Sequence, residues 1–251
     1  MKRYLIVGYA VACWVMFLGV FAYACAFVGG FLVPTTLDGP RSDPLWLALA
    51  VNVGLIAVFG VQHSVMARQW FKRWWTRFVH PAAERATYVL VSNLLVILLF
   101  WQWRPMGGVV WHVEHEAGRI VLWTLFAAGW LLVPLASFMT DHFDLFGLRQ
   151  AWLHFKGEPY RPLPFKTRAL YKSVRHPLYT GWILAFWSTP HMTVSHLLFA
   201  ALLTAYIFVA VRFEERDLKA LYGEDYERYT RTTPRFAPRV IPRGSTGPAR
   251  G

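Results

Sequence analysis

The sequence predicts an all-α integral membrane protein, a polytopic helical bundle of five to six transmembrane helices. Three observations predict it. Of the 251 residues, 56% are hydrophobic and only 16% are charged, where soluble domains carry about a quarter. The apolar residues gather into runs near the ~20 residues that a helix needs to cross a bilayer. The basic residues sit in the connections between those runs, so the net charge of +12 sets topology and argues against a nucleic-acid partner.

The first run, residues 4–33, stops at Pro34. It opens on Lys2 and Arg3 like a secretory leader, but it exceeds the about 7–15 apolar residues of a leader core and reads as a retained span. Residues 45–66 form the second run, behind a loop with Asp38, Arg41 and Asp43. A strongly basic loop with Arg68, Lys72, Arg73, Arg77 and Arg85 precedes the third, residues 86–103. The fourth, residues 119–140, follows a mildly acidic loop with Glu114 and Glu116. A basic connector over 141–175 then leads into a hairpin of residues 178–189 and 194–211, turning at Pro190. Its first arm has about a dozen residues, roughly 18 Å of helix, too short for an upright span. Positive-inside places the N-terminus, the second loop, the connector and the tail together in the cytoplasm. The chain thus divides into a four-helix region (1–140), a connector, hairpin and C-terminal region (141–240), and a Pro-, Gly- and Arg-rich tail (241–251) expected to be disordered.

Ionisable residues crowd both mouths of the hairpin, an unusual place for charge unless something polar binds there. At one mouth stands Arg175-His176-Pro177-Leu178-Tyr179-Thr180-Gly181. Proline disfavours helix at His176 and starts the next helix well, so the dipeptide makes a rigid corner. Tyr179 can stack on or hydrogen-bond to a ligand, and Gly181 admits a ligand or a helix closely. At the other mouth, Arg212 precedes Glu214 and Glu215. Their side chains point about 100° apart on a helix, so the two glutamates are not expected to serve one ligand group. Tyr222, Tyr226 and Tyr229 share one helical face. Asp141-His142 leaves the fourth span, and a histidine beside an acid suits proton transfer. His63 lies within the second span, where an ionisable group is a functional candidate by default. No HExxH and no Cys/His cluster occurs, so no metal is expected, and Cys13 and Cys25 are too far apart along one helix to pair.

The ordered pattern Arg175-His176-Pro177-x-Tyr179-x-Gly181, a hairpin, Glu214-Glu215-x-x-Leu218 and Tyr222-Gly223-x-x-Tyr226-x-x-Tyr229 resembles the integral-membrane methyltransferases typified by isoprenylcysteine carboxyl methyltransferase and phospholipid N-methyltransferases. His63-Ser64-x-Met66-Ala67-Arg68, with the run from Ser137-Phe138 through Asp141-His142 to Gln150, narrows the likeness. These segments resemble the bacterial methanethiol S-methyltransferases, relatives of the NnrU-type membrane proteins. The resemblance implies S-adenosylmethionine, held in a cytosolic pocket formed by the C-terminal hairpin and tail. It carries a cofactor role onto Arg175, His176, Leu178, Tyr179, Gly181, Arg212, Glu214 and Glu215, and a closing role onto Tyr222, Tyr226 and Tyr229. It also implies a small thiol as substrate, hydrogen sulfide as a second acceptor, a bacterial inner membrane as setting, and no obligatory protein partner.

In-line methyl transfer needs donor and acceptor held in contact, and a thiol that titrates above neutrality needs a base or a field favouring thiolate. Asp141, His142 and His63 are the candidates for that catalytic part. A prenylcysteine carboxylate or a lipid amine as acceptor, and a non-catalytic NnrU-like protein, are the alternatives. Sterol reductases share a His-Pro-x-Tyr-x-Gly end, but Leu178 and Trp182 replace the residues expected there. No GxGxxG follows a strand, which excludes a soluble dinucleotide-type fold.

Overall fold

A computed structural model describes residues 2–238. Five helices are long and apolar enough to cross a membrane: α1 (Arg3–Gly29), α2 (Leu45–Met66), α4 (Glu84–Gln102), α5 (Glu116–Thr140) and α9 (Val194–Tyr222). Between and after them lie short helices α3 (Gln69–Trp75), α6 (His142–Leu145), α7 (Leu148–Lys156), α8 (Pro177–Trp187) and α10 (Glu224–Thr232). The protein is a multi-pass membrane protein. The boundaries follow local chemistry. α1 ends at Gly29 instead of running to residue 33, because Gly30 adopts φ +74° and turns the chain back onto Ala26. α8 starts on Pro177, with His176 extended ahead of it.

The expected hairpin differs at its turn. α8 stops at Trp187, and the chain continues extended into a strand, β2 (His191–Thr193). β2 pairs antiparallel with β1 (Val109–His112) in the loop between α4 and α5, setting His112 opposite His191. The all-α expectation therefore gains a short two-stranded sheet, and the bend at Pro190, where the turn was expected, leads directly into its second strand. Eleven helical residues give about 17 Å, short of an upright span, and residues 188–193 continue from it without helix. Non-helical backbone survives at membrane depth only inside protein; Ser188, Thr189 and Thr193 are buried. The second arm also runs past residue 211, and its 29 residues make about 43 Å of helix, beyond the ~30 Å apolar slab. Glu214 and Glu215 are thereby fixed on a rigid helix.

α5 and α8 make the closest helix pair. A Cβ on Gly129 would lie 2.6 Å from Ala185 N, and one on Gly181 would lie 2.9 Å from Gly129 O. α2 packs on α4 and α9, and α1 on α4 and α7. One core joins Phe27, Phe100 and Trp103 of the first half to Phe186, Phe199 and Ile207 of the second, so the regions 1–140 and 141–240 are packed as one. The connector is anchored by Asp144, which accepts from Arg85 (3.2 Å), Arg149 (2.9 Å) and Gln150 (3.2 Å). The tail from residue 241 lies outside the described residues.

Candidate active site

The corner at Arg175-His176 is braced by chain that returns much later. Arg175 N donates to Pro234 O (2.8 Å) and His176 N to Arg235 O (3.0 Å). Thr180 Oγ1 donates to Phe236 O (2.8 Å). Residues 233–236 thus form a strap along the corner. Its centre is the Glu215 carboxylate. Arg175 holds Oε1 through Nε (2.9 Å) and Nη2 (2.8 Å), and His176 Nε2 lies 3.2 Å away. Arg235 donates to Oε2 through Nη2 (2.8 Å) and Nε (3.2 Å). Arg175 Nη1 reaches the carbonyls of Thr230 (3.1 Å) and Thr233. This buried carboxylate is saturated, which is what makes its burial tolerable. The same hydrogen bonds raise the Arg235 pKa.

Glu214, one residue back, has the opposite condition. Its Oε2 is buried with no hydrogen-bond partner among the described residues. The Tyr179 phenol lies beside it. Tyr226, 2% exposed, also leaves its hydroxyl unpartnered. Its pKa is raised by burial first and by Glu215 second. Two orphaned polar atoms beside a saturated ion cluster are a fit for a polar ligand with both donors and acceptors. An α-amino or ribose group answers Glu214.

Polar side chains also gather at the end of α2. Tyr206 hydroxyl lies 3.2 Å from Ser64 Oγ, and its ring rests against Gly60, where a Cβ would stand 3.1 Å from it. His63 is stacked on Phe59 and flanked by Tyr88, with ring centroids 5.2 and 5.0 Å away. Arg68 closes the rim by pairing with Asp217 (2.8 Å).

The sequence-predicted residues separate into groups. Arg175, His176, Tyr179, Glu214 and Glu215 come together. Leu178 sits half-buried in the first turn of α8. Gly181, expected to admit the ligand, instead admits α5, because its open side faces Gly129. Arg212 is exposed, and a separation of two residues turns it about 200° from Glu214 on α9. Tyr222, Tyr226 and Tyr229 do not lie on one helical face, because the helix breaks at Gly223 between α9 and α10, yet all three rings converge on Phe165 of the connector. Burial pushes the Tyr229 phenol up to about 12.

His142 lies away from this cluster, between α1 and α5. Trp14 Nε1 donates to its Nε2 (2.9 Å), and its Nδ1 meets Ser137 Oγ (2.8 Å). Asp141 takes a left-handed backbone (φ +108°) to end α5 and makes no side-chain contact with His142 among the described hydrogen bonds. Arg235 is the residue that sequence reasoning missed. Its one signal was a cation in a proline-flanked segment that cannot be helical, beside an acid-rich helix.

The chain is 51% identical over 238 residues to methanethiol S-methyltransferase of Mycobacterium tuberculosis, covering 95% of this chain and 98% of that one. It is 48% identical to the protein of that name from Crocosphaera subtropica, covering 95% and 93%. It is 28% identical to pig nurim, covering 74% and 78%. No family profile matches the chain, and no solved structure matches it. A multi-pass helical bundle with relatives of this kind defines a membrane-embedded methyltransferase. Within that class the chain belongs to the methanethiol S-methyltransferase family.

Proposed function

We propose that this protein transfers a methyl group from S-adenosylmethionine to methanethiol, forming dimethyl sulfide, and that it also accepts hydrogen sulfide. The observation that carries the reading is the unpartnered Glu214 Oε2 beside the saturated Glu215 cluster, in a chain 51% identical to a protein named for this reaction. The donor, when bound, supplies an electrophilic methyl on a sulfonium with a good leaving group. Glu214 receives donor hydrogens. Tyr179 and Leu178 form the wall on α8, and Arg175, His176 and Glu215 hold the corner rigid. With α8 and α9 both docked in the bundle, the site excludes water and admits a small apolar acceptor from the lipid side, since such thiols partition into the bilayer. The basic connections put the pocket and both termini on the cytoplasmic side of a bacterial inner membrane. The thiol and the bilayer are the partners this reading requires.

The test is calorimetric titration of the detergent-solubilised chain with S-adenosylhomocysteine, followed by headspace detection of dimethyl sulfide. Binding and product formation by wild type, with binding lost in His176→Ala and Glu214→Ala, support the reading. A folded wild type that binds no S-adenosylhomocysteine refutes it.

A further inference from the structure

Methylating a thiol releases its proton, and two histidines stand in environments that differ in one respect. In both, a serine settles the tautomer. Ser92 Oγ donates its single proton to Gln62 Oε1 (3.3 Å). Its contact with His63 Nδ1 (3.3 Å) therefore has His63 Nδ1–H as donor, which leaves the lone pair on Nε2. Ser137 Oγ likewise gives its proton to Pro134 O (2.8 Å), so the His142 proton also sits on Nδ1 and the lone pair on Nε2. There the likeness ends. His142 is 4% exposed, and its Nε2 already accepts the Trp14 indole proton. His63 Nε2 has no hydrogen-bond partner among the described residues, since the polar contact of the ring is made through Nδ1.

We infer that His63 is the residue that takes the thiol proton, with Ser92 and Gln62 as positioning residues that hold its tautomer, and with Tyr88 and Tyr206 as the walls of the acceptor seat. This rests on the thiol-methyltransferase reading above. The Tyr88 hydroxyl donates to the His63 carbonyl (3.3 Å), the Tyr206 ring lies 6.5 Å from the imidazole, and the Tyr206 hydroxyl lies 3.2 Å from Ser64 Oγ in the same turn. A small thiol between His63 and Glu214 has a base on one side and the donor pocket on the other. In the step, the S–H electron pair forms the new S–CH3 bond as the proton passes to His63 Nε2. The old methyl–sulfonium bond breaks with its pair going to the donor sulfur, and the imidazolium then returns its proton to the cytosol. The titratable and charged groups around His63 are Tyr88 from α4, Tyr206 from α9, Arg68 in the next turn, and Glu214 and Asp217 beyond them. No carboxylate among the described residues pairs with His63.

The experiment compares the full-length wild type with His63→Gln, Ser92→Ala and His142→Gln. Each is assayed for S-adenosylhomocysteine binding by calorimetry and for dimethyl sulfide formation across the pH range around and above neutrality. His63→Gln is expected to bind S-adenosylhomocysteine like wild type and to lose about 10²–10⁴-fold in rate near neutrality. That loss should shrink toward high pH, where thiolate from solution needs no base. Ser92→Ala should lose less, with the same rescue. His142→Gln should keep the wild-type profile. An unchanged profile in His63→Gln, an equal loss at every pH, or loss of S-adenosylhomocysteine binding with it overturns the inference. Nitrogen-15 spectra of histidine-labelled wild type give a second readout that needs no variant. The Nε2 resonance of one neutral, Nδ1-protonated histidine should shift as it accepts the thiol hydrogen bond when ethanethiol joins the S-adenosylhomocysteine complex, and silence there also overturns it. Wild type that binds no S-adenosylhomocysteine instead fails the methyltransferase reading, and this inference falls with it.

Discussion

The mouth around His142 and the cluster around His63 are built from the same parts: an imidazole, a serine that fixes its proton, and aromatic rings on either side. Trp14 makes the difference. It completes the His142 site and turns it into a joint between α1 and the α5–α6 corner, whereas the His63 site is left one partner short. Glu214 and Glu215 repeat the contrast on adjacent residues, one carboxylate short of partners and one fully engaged. A group with every bond made holds the fold. A buried group missing one is where a ligand is expected, because an unmet polar atom costs about 1–3 kcal/mol until something answers it.

The contrast breaks most easily at Glu215. Glu215→Ala strands Arg175 and His176 without their carboxylate and should destabilise the protein by about 3–5 kcal/mol, read as a lower unfolding temperature in detergent together with lost S-adenosylhomocysteine binding. If stability holds, the Glu215 cluster is not the brace described above. Glu214→Gln should do the reverse. It keeps the shape, leaves the unfolding temperature nearly unchanged, and weakens S-adenosylhomocysteine by about 1.5–3 kcal/mol, roughly tenfold or more.

His142 gives a smaller, pH-dependent effect. Burial lowers its pKa from the ordinary 6.5, so in the acid range the unfolded chain binds a proton that the folded chain refuses. Stability should therefore be intact above about pH 6.5 and decline as pH falls below it. His142→Gln should flatten that decline in unfolding temperature, and an unflattened slope would place the titrating group elsewhere. Least of all should Arg212→Ala matter: an exposed residue facing away from Glu214 is worth within about 0.5 kcal/mol. A large loss of S-adenosylhomocysteine affinity there would mean that Arg212 reaches round α9 to the ligand.

Much of this was legible in the sequence because membrane spans are written locally. A run of about twenty apolar residues needs no partner to be recognised, and α2 begins and ends where its run does. The divergence of Glu214 from Glu215 was legible too, since helix geometry alone sets their directions. The link from α8 to α9 was not, because β2 is a strand only through its pairing with β1, far back in the chain. Arg235 was illegible for the same reason, its partner being fixed by how the chain returns. Gly181 carried two meanings at once, and only the nearness of α5 chose between them.

The strap has a consequence for the order of synthesis. Thr233, whose carbonyl Arg175 grips, lies 58 residues beyond it, on the far side of α9 and α10. Every span can therefore enter the bilayer while the corner at His176 is still without its brace. Until residues 233–236 have been made, nothing ties that corner to the returning chain, so the brace is the last part of the described fold to be assembled.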